Sequence, residues 1–295
     1  MRPILTSAAR NGRDPIATVR DVSPAVPHAP VHGRYDPSCL VRYFASDTGP
    51  GRPPPSGAPD GASSGPRGAA AHLMNTVAVV SDKGGSGKST ASINLAVQAS
   101  KTAPTLVVDT DPQASVAVWA KLRPAELVGP KCVASTAHKL PQLLAAARHA
   151  RFRWTLIDTA PGEPPAARVA VESADLVLIP IKPDIFNFAA ILKTVAMVRS
   201  LEKTYRIFIN DAPPMREGRQ APLVRAIRLK LHETGYRDHF GKFLWNAQIT
   251  RRNVVPSALN RGLGIVEAGW DELAEQEFRC LWRAVAHLLE AGSRR

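Results

Sequence analysis

The sequence predicts an α/β fold, a mostly parallel twisted sheet with helices on both faces. Short Val-, Ile- and Leu-rich runs without alternation, of the kind seen in strands buried on both sides, recur at Thr76–Val80, Pro104–Asp109, Trp154–Asp158, Ala174–Pro180 and Tyr205–Asn210. Segments with helical spacing stand between most of them, and right-handed crossovers place strands in such a βαβα order parallel in one sheet. A glycine-rich loop also joins the first run to a helical segment over 90–98.

The stretch before the first strand is different in kind. Residues 1–73 hold 12 of the 26 prolines and 8 of the 20 glycines, with no lysine, no glutamate and no periodic apolar pattern. Such a segment buries too little surface to offset its ordering entropy, so 1–73 is expected to be disordered and 74–295 to be the folded domain. A start at Met74, with the preceding stretch an artefact of start assignment, is an equally open reading. The chain has 295 residues, 44% of them hydrophobic, enough for a sizeable core. Cys39, Cys132 and Cys280 lie far apart with no Cys-x-x-Cys pair, which suggests neither a disulfide framework nor a thiolate metal site and fits a reducing cytoplasm. No apolar run approaches the roughly 20 residues that span a bilayer, and the start lacks a secretory core, so a soluble, cytoplasmic protein without membrane contact is expected. A net charge of +13 and a pI near 10.2 predict attraction to a polyanion, of which nucleic acid is the commonest.

After the first strand comes Lys83-Gly84-Gly85-Ser86-Gly87-Lys88-Ser89-Thr90. Three glycines let the backbone curl so that N–H groups point at phosphate oxygens, and the helix N-terminus adds partial positive charge. In this P-loop reading Lys88 reaches the β- and γ-phosphates of a nucleotide, Ser89 supplies a hydroxyl to Mg²⁺ and Thr90 meets the α-phosphate. Where the ordinary pattern opens with Gly this loop has Asp82, followed by an extra lysine, Lys83. The KGGSGKST form resembles the deviant Walker A box of the ParA/MinD ATPase family. That resemblance implies a P-loop NTPase fold, ATP and Mg²⁺ as ligands, and an ATP-bound homodimer in which Lys83 crosses to the partner's nucleotide.

The later elements extend the resemblance. The second strand ends in Asp109-Thr110-Asp111-Pro112-Gln113, with acids at the carboxyl end of a parallel strand, where nucleotides bind in doubly wound sheets. It is similar to the DxDPQ box of the ParA family, which implies that Asp111 positions the attacking water and Asp109 supports the magnesium site. The family often has Gly after the Gln, and this chain has Ala114. A helix over 114–122, a short strand over 131–133 and a helix over 140–149 follow, without evident chemistry. Trp154–Asp158 then runs into Thr159-Ala160-Pro161-Gly162; Asp158 is the natural Walker B carboxylate, holding Mg²⁺ through a water, and the turn is placed to sense the γ-phosphate. A strand at 174–180 and a helix over 185–201, spaced at Ile191, Val195 and Val198, continue the alternation. The next strand closes with Asn210-Asp211-Ala212-Pro213-Pro214. Spacing alone makes this an ordinary turn. The resemblance implies that Asn210 reads the adenine edge and that the loop through Pro213 flanks the base.

From 216 to 261 ten Lys/Arg stand against Glu217, Glu233 and Asp238. A helix over 223–232 and a strand over 243–249 carry much of this charge, and the stretch from Phe243 to Asn253 resembles the family segment whose arginines contact the DNA backbone. Arg251 and Arg252 are the residues so implied. A final helix over 271–289 places Ala274, Phe278, Leu281, Val285 and Leu288 on one stripe with acids in its first turn, a core-packing helix. Together the motifs imply a ParA-type partition ATPase: an ATP-dependent dimer, nucleoid-associated through non-specific DNA binding, whose slow hydrolysis is stimulated by a ParB-like centromere-binding partner. Two alternatives stay open, a ParA-like ATPase that positions a protein complex or conjugation machinery, and a P-loop metabolic ligase or kinase.

Overall fold

A computed structural model describes residues 74–162, 164–184, 188–217, 219–233 and 238–292, so the expected disorder of 1–73 lies outside the described residues. Seven strands form one sheet: β1 (Asn75–Val79), β2 (Thr105–Asp109), β3 (Lys131–Ala134), β4 (Trp154–Asp158), β5 (Leu176–Ile181), β6 (Tyr205–Ala212) and β7 (Leu244–Thr250), in the order β3-β2-β4-β1-β5-β6-β7. Every neighbouring pair is parallel.

Strand residues send alternate side chains to opposite faces, and the two cores follow that alternation. Ala78, Val108, Ile157, Val177 and Ile179 pack on one face against α3 (Leu140–His149), α4 (Pro164–Ser173), α5 (Phe188–Ser200) and α6 (Pro222–His232). Val77, Val79, Val107, Leu156 and Leu178 pack on the other against α1 (Lys88–Ser100), α2 (Ser115–Leu122), α7 (Val254–Leu259), α8 (Ile265–Ala268) and α9 (Glu272–Gly292). Because both faces are covered, the central strands read as unbroken apolar runs; β1, β2 and β4 are buried at all five positions.

The sheet's edges are short or shielded. β3 has four residues. On β7 the Arg228 guanidinium of α6 donates Nη1 to the Trp245 carbonyl at 3.1 Å and Nη2 to the Ala247 carbonyl at 2.6 Å, covering two outward acceptors of the edge strand. β1 lies between β4 and β5, so the loop that leaves it opens at the middle of the carboxyl edge, with the ends of β2 and β4 beside it.

Candidate nucleotide-binding site

The glycine-rich loop runs directly from β1 into α1. Gly87 is the N-cap of α1 with φ 93° and ψ 27°, and Gly85 has φ 70°, a left-handed backbone that side-chain-bearing residues adopt at a cost. Lys88 opens the helix and is 6% exposed; its Nζ stands 3.5 Å from the Lys83 carbonyl. Burial pushes its ammonium below the usual lysine range, against the opposing pull of Asp158, Asp111 and Asp82. A buried cation at a helix N-terminus, among carboxylates, is arranged for an anion that brings its own countercharge.

The two strand-end acids lie side by side, since Asp109 and Asp158 are register partners on β2 and β4. Asp158 is wholly buried. Its Oδ1 accepts the Ser92 hydroxyl at 3.1 Å, and its Oδ2 has no hydrogen-bond partner. Burial raises this carboxyl to about 7, reinforced by Asp109 and opposed by the Ser89 and Ser92 hydroxyls and Lys88. An orphaned carboxylate oxygen near a P-loop serine fits a divalent cation that would favour the ionised form. Among the described residues no cluster of three His, Cys, Asp or Glu could hold a metal.

Asp109 uses both oxygens on backbone: Oδ1 accepts the Asp111 N–H at 3.1 Å, and Oδ2 accepts those of Val116 and Ala117 at 2.9 and 3.2 Å. It therefore anchors the start of α2 and the Asp111 turn. Burial raises its carboxyl, with these backbone bonds opposing. Asp111 itself lines a cavity of about 510 Å³, with its Oδ1 accepting the Gln113 N–H at 2.9 Å. Thr159 donates to the Val79 carbonyl at 2.9 Å, tying the turn after β4 to the end of β1.

The remaining residues implied by the sequence distribute unevenly. Gly85, Gly87, Lys88, Ser89, Thr90 and Asn210 line the cavity, whereas Gly84, Ser86 and Pro213 do not. Lys83 faces outward, its Nζ 3.3 Å from Asp184. Arg251 and Arg252 face the cavity and are paired. Arg251 holds Asp211 with two bonds of 3.0 and 3.1 Å, and Arg252 is 3.5 Å from Asp271 and 3.3 Å from Glu277. Lys182 and Asp211, which the sequence did not bring forward, complete this wall: Lys182 lies 2.8 Å from Asp211, and against burial, which raises the Asp211 carboxyl, Arg251 and Lys182 hold it below the usual range. Ser92, also missed, sits one turn beyond Ser89 on the same helix, a spacing that could have revealed it.

The sequence profile of the CobQ/CobB/MinD/ParA nucleotide binding domain matches residues 77–265, from the first strand to the start of α8. The chain belongs to this family. As a ParA/MinD-type P-loop ATPase domain it is 32% identical over 155 residues to the maintenance of carboxysome distribution protein A of Gloeobacter kilaueensis, across 52% of this chain and 70% of that protein. The ATP complex of a McdA variant from Cyanothece superposes with a TM-score of 0.60 at 18% identity, covering 72% of this chain and 96% of that one. For the Mg-ADP complex of the septum site-determining protein MinD from Pyrococcus horikoshii the values are 0.57, 18%, 74% and 98%. These two likenesses show the ParA/MinD fold.

Proposed function

We propose that this chain is an ATP-driven positioning ATPase that closes as a dimer on ATP and distributes a protein assembly. The observation that carries this is the 32% identity, along 70% of its length, to a protein named for maintaining carboxysome distribution. It favours the protein-positioning alternative over partition of a plasmid or chromosome by a ParB-like partner.

In this reading Lys88 and the loop N–H groups bind the phosphates, and Asp111, braced by Asp109, orients the attacking water. Ser89 and Asp158 would hold Mg²⁺, which when bound neutralises charge on the transferring phosphoryl group. The partner subunit's copy of the extra lysine would complete the site. Non-specific DNA, and with it the nucleoid, serves as the track if the dimer binds DNA only with ATP.

The test is deletion of the gene, followed by imaging of the assembly that co-purifies with an Asp111→Ala dimer and by measurement of plasmid loss. Clustered assemblies with normal plasmid inheritance are expected. Raised plasmid loss with evenly spaced assemblies would return the reading to partition.

A further inference from the structure

The peptide unit that joins Ser86 to Gly87 has two polar ends with different surroundings. Its carbonyl accepts a buried hydrogen bond from Asn210 Nδ2 at 2.9 Å, while the Gly87 N–H meets no acceptor among the described residues. In a planar trans peptide these groups point in opposite directions. A carbonyl anchored on Asn210 therefore turns the Gly87 N–H away from Asn210 and leaves it open as a donor.

Nothing within the loop itself secures that orientation. Gly87 has no side chain, and glycine enters the left- and right-handed regions with similar ease, so the peptide before it can turn over at little cost. Turned over, it would present a carbonyl oxygen where a phosphate needs a donor. Asn210 belongs to the sheet, at the carboxyl end of β6 and only 6% exposed, and its amide nitrogen comes up against the glycine. A Cβ at Gly87 would stand 2.0 Å from its Nδ2 and 3.3 Å from its Cγ.

The geometry points to Asn210 as a positioning residue of the phosphate loop, a latch that keeps the Ser86–Gly87 peptide turned with its N–H toward the ligand whatever base that ligand carries. Adenine reading, implied by the family resemblance, is a separate role. One of the two Nδ2 hydrogens is committed to the loop, which leaves the other and Oδ1 for a base.

The inference rests on the cavity holding a triphosphate, and its test separates the two failures. Mg-ATP, Mg-GTP and Mg-tripolyphosphate are titrated against the full chain and against Asn210→Leu, which keeps similar volume, adds no charge and removes the donor. Apo melting curves accompany each titration. The expected result is about a tenfold loss of affinity, by the same factor for all three ligands, the order lost with one buried hydrogen bond. Weakening of ATP with tripolyphosphate unaffected would make Asn210 a base reader and overturn the latch, and unchanged affinity for all three would overturn it too. A wild-type chain that binds none of the three would instead remove the nucleotide reading. If Asn210→Leu does not fold, Asn210→Ser, too short to reach the Ser86 carbonyl from the same backbone, gives the same comparison.

Discussion

Lys83 shows how little holds the residue that marks the family. Its contact with Asp184 joins side chains that are 44% and 41% exposed, and such pairs contribute about 0–1 kcal/mol, so a phosphate can displace the carboxylate easily. In an ATP dimer the same ammonium would stand in a site closed to water, where a lost cationic contact costs about 3–5 kcal/mol. Lys83→Gln is expected to bind ATP as a monomer and to fail in dimerisation and hydrolysis. Light scattering with ATP in an Asp111→Ala background checks this, and a normal dimer would refute it. Asp158 gives a pH signature. Its unfolded carboxyl ionises near 3.8 and its folded one near 7, so the folded chain keeps a proton that the unfolded chain loses in between. The resulting stability is whole below 3.8 and vanishes as pH rises through about 7. Asp158→Asn should therefore raise the apo melting temperature more at pH 8 than at pH 5, and an equal gain at both would contradict the assignment. Residues whose chemistry lies in their type and spacing, such as Lys88, Ser89 and Asp158, were legible in the sequence. Lys182 and Asp211 were not, because what singles them out is a contact between the ends of two strands.

Among the elements, α2 starts under strain. Ala114 precedes it at φ 52° and ψ 39°, a left-handed conformation that costs a side-chain-bearing residue about 1–2 kcal/mol. Ala114→Gly relieves this and loses part of the gain to greater unfolded-state entropy, for a net stabilisation of about 0.5–1 kcal/mol read as a higher urea midpoint. A lower midpoint would show that the methyl packs usefully. The basic region resolves into parts with different availability. Arg216 and Arg219 face each other across a bridged turn, Arg225 stands exposed on α6, and none of the three has an ion pair among the described residues. Replacing these three by Ala should lower the salt slope of polyanion binding by about three, more than Arg251→Ala with Arg252→Ala, because each phosphate contact releases close to one counterion. A larger effect from the second pair would place the contact at the cavity wall. The long elements appeared within a few residues of their expected bounds, since strong apolar periodicity announces them. β6 runs two residues past its expected end, to Ala212. α4 was missed behind the Pro164-Pro165 pair, although Ala167, Ala170, Val171 and Ala174 show helical spacing in the core. α7 and α8, of six and four residues, are too short for a period to be read.

For the whole molecule, the strand count and parallel sense followed from the alternation of elements, but the order β3-β2-β4-β1-β5-β6-β7 did not. Which strands become neighbours depends on packing between segments far apart in the chain. Every strand among the described residues and every residue of the candidate nucleotide site falls after Met74, which is itself buried and accepts the Thr155 hydroxyl through its sulfur at 3.2 Å. A chain beginning at Met74 should thus fold and bind ATP with unchanged affinity, as nucleotide titration and soluble yield would show, and insoluble protein would refute it. The Arg228 side chain that α6 lays against β7 has a consequence for higher assembly. Ribbons that grow by docking one sheet margin onto the next require free carbonyls along that margin, and here two are already occupied by a guanidinium. Copies of this chain are thereby steered away from endless lateral stacking through the β7 margin.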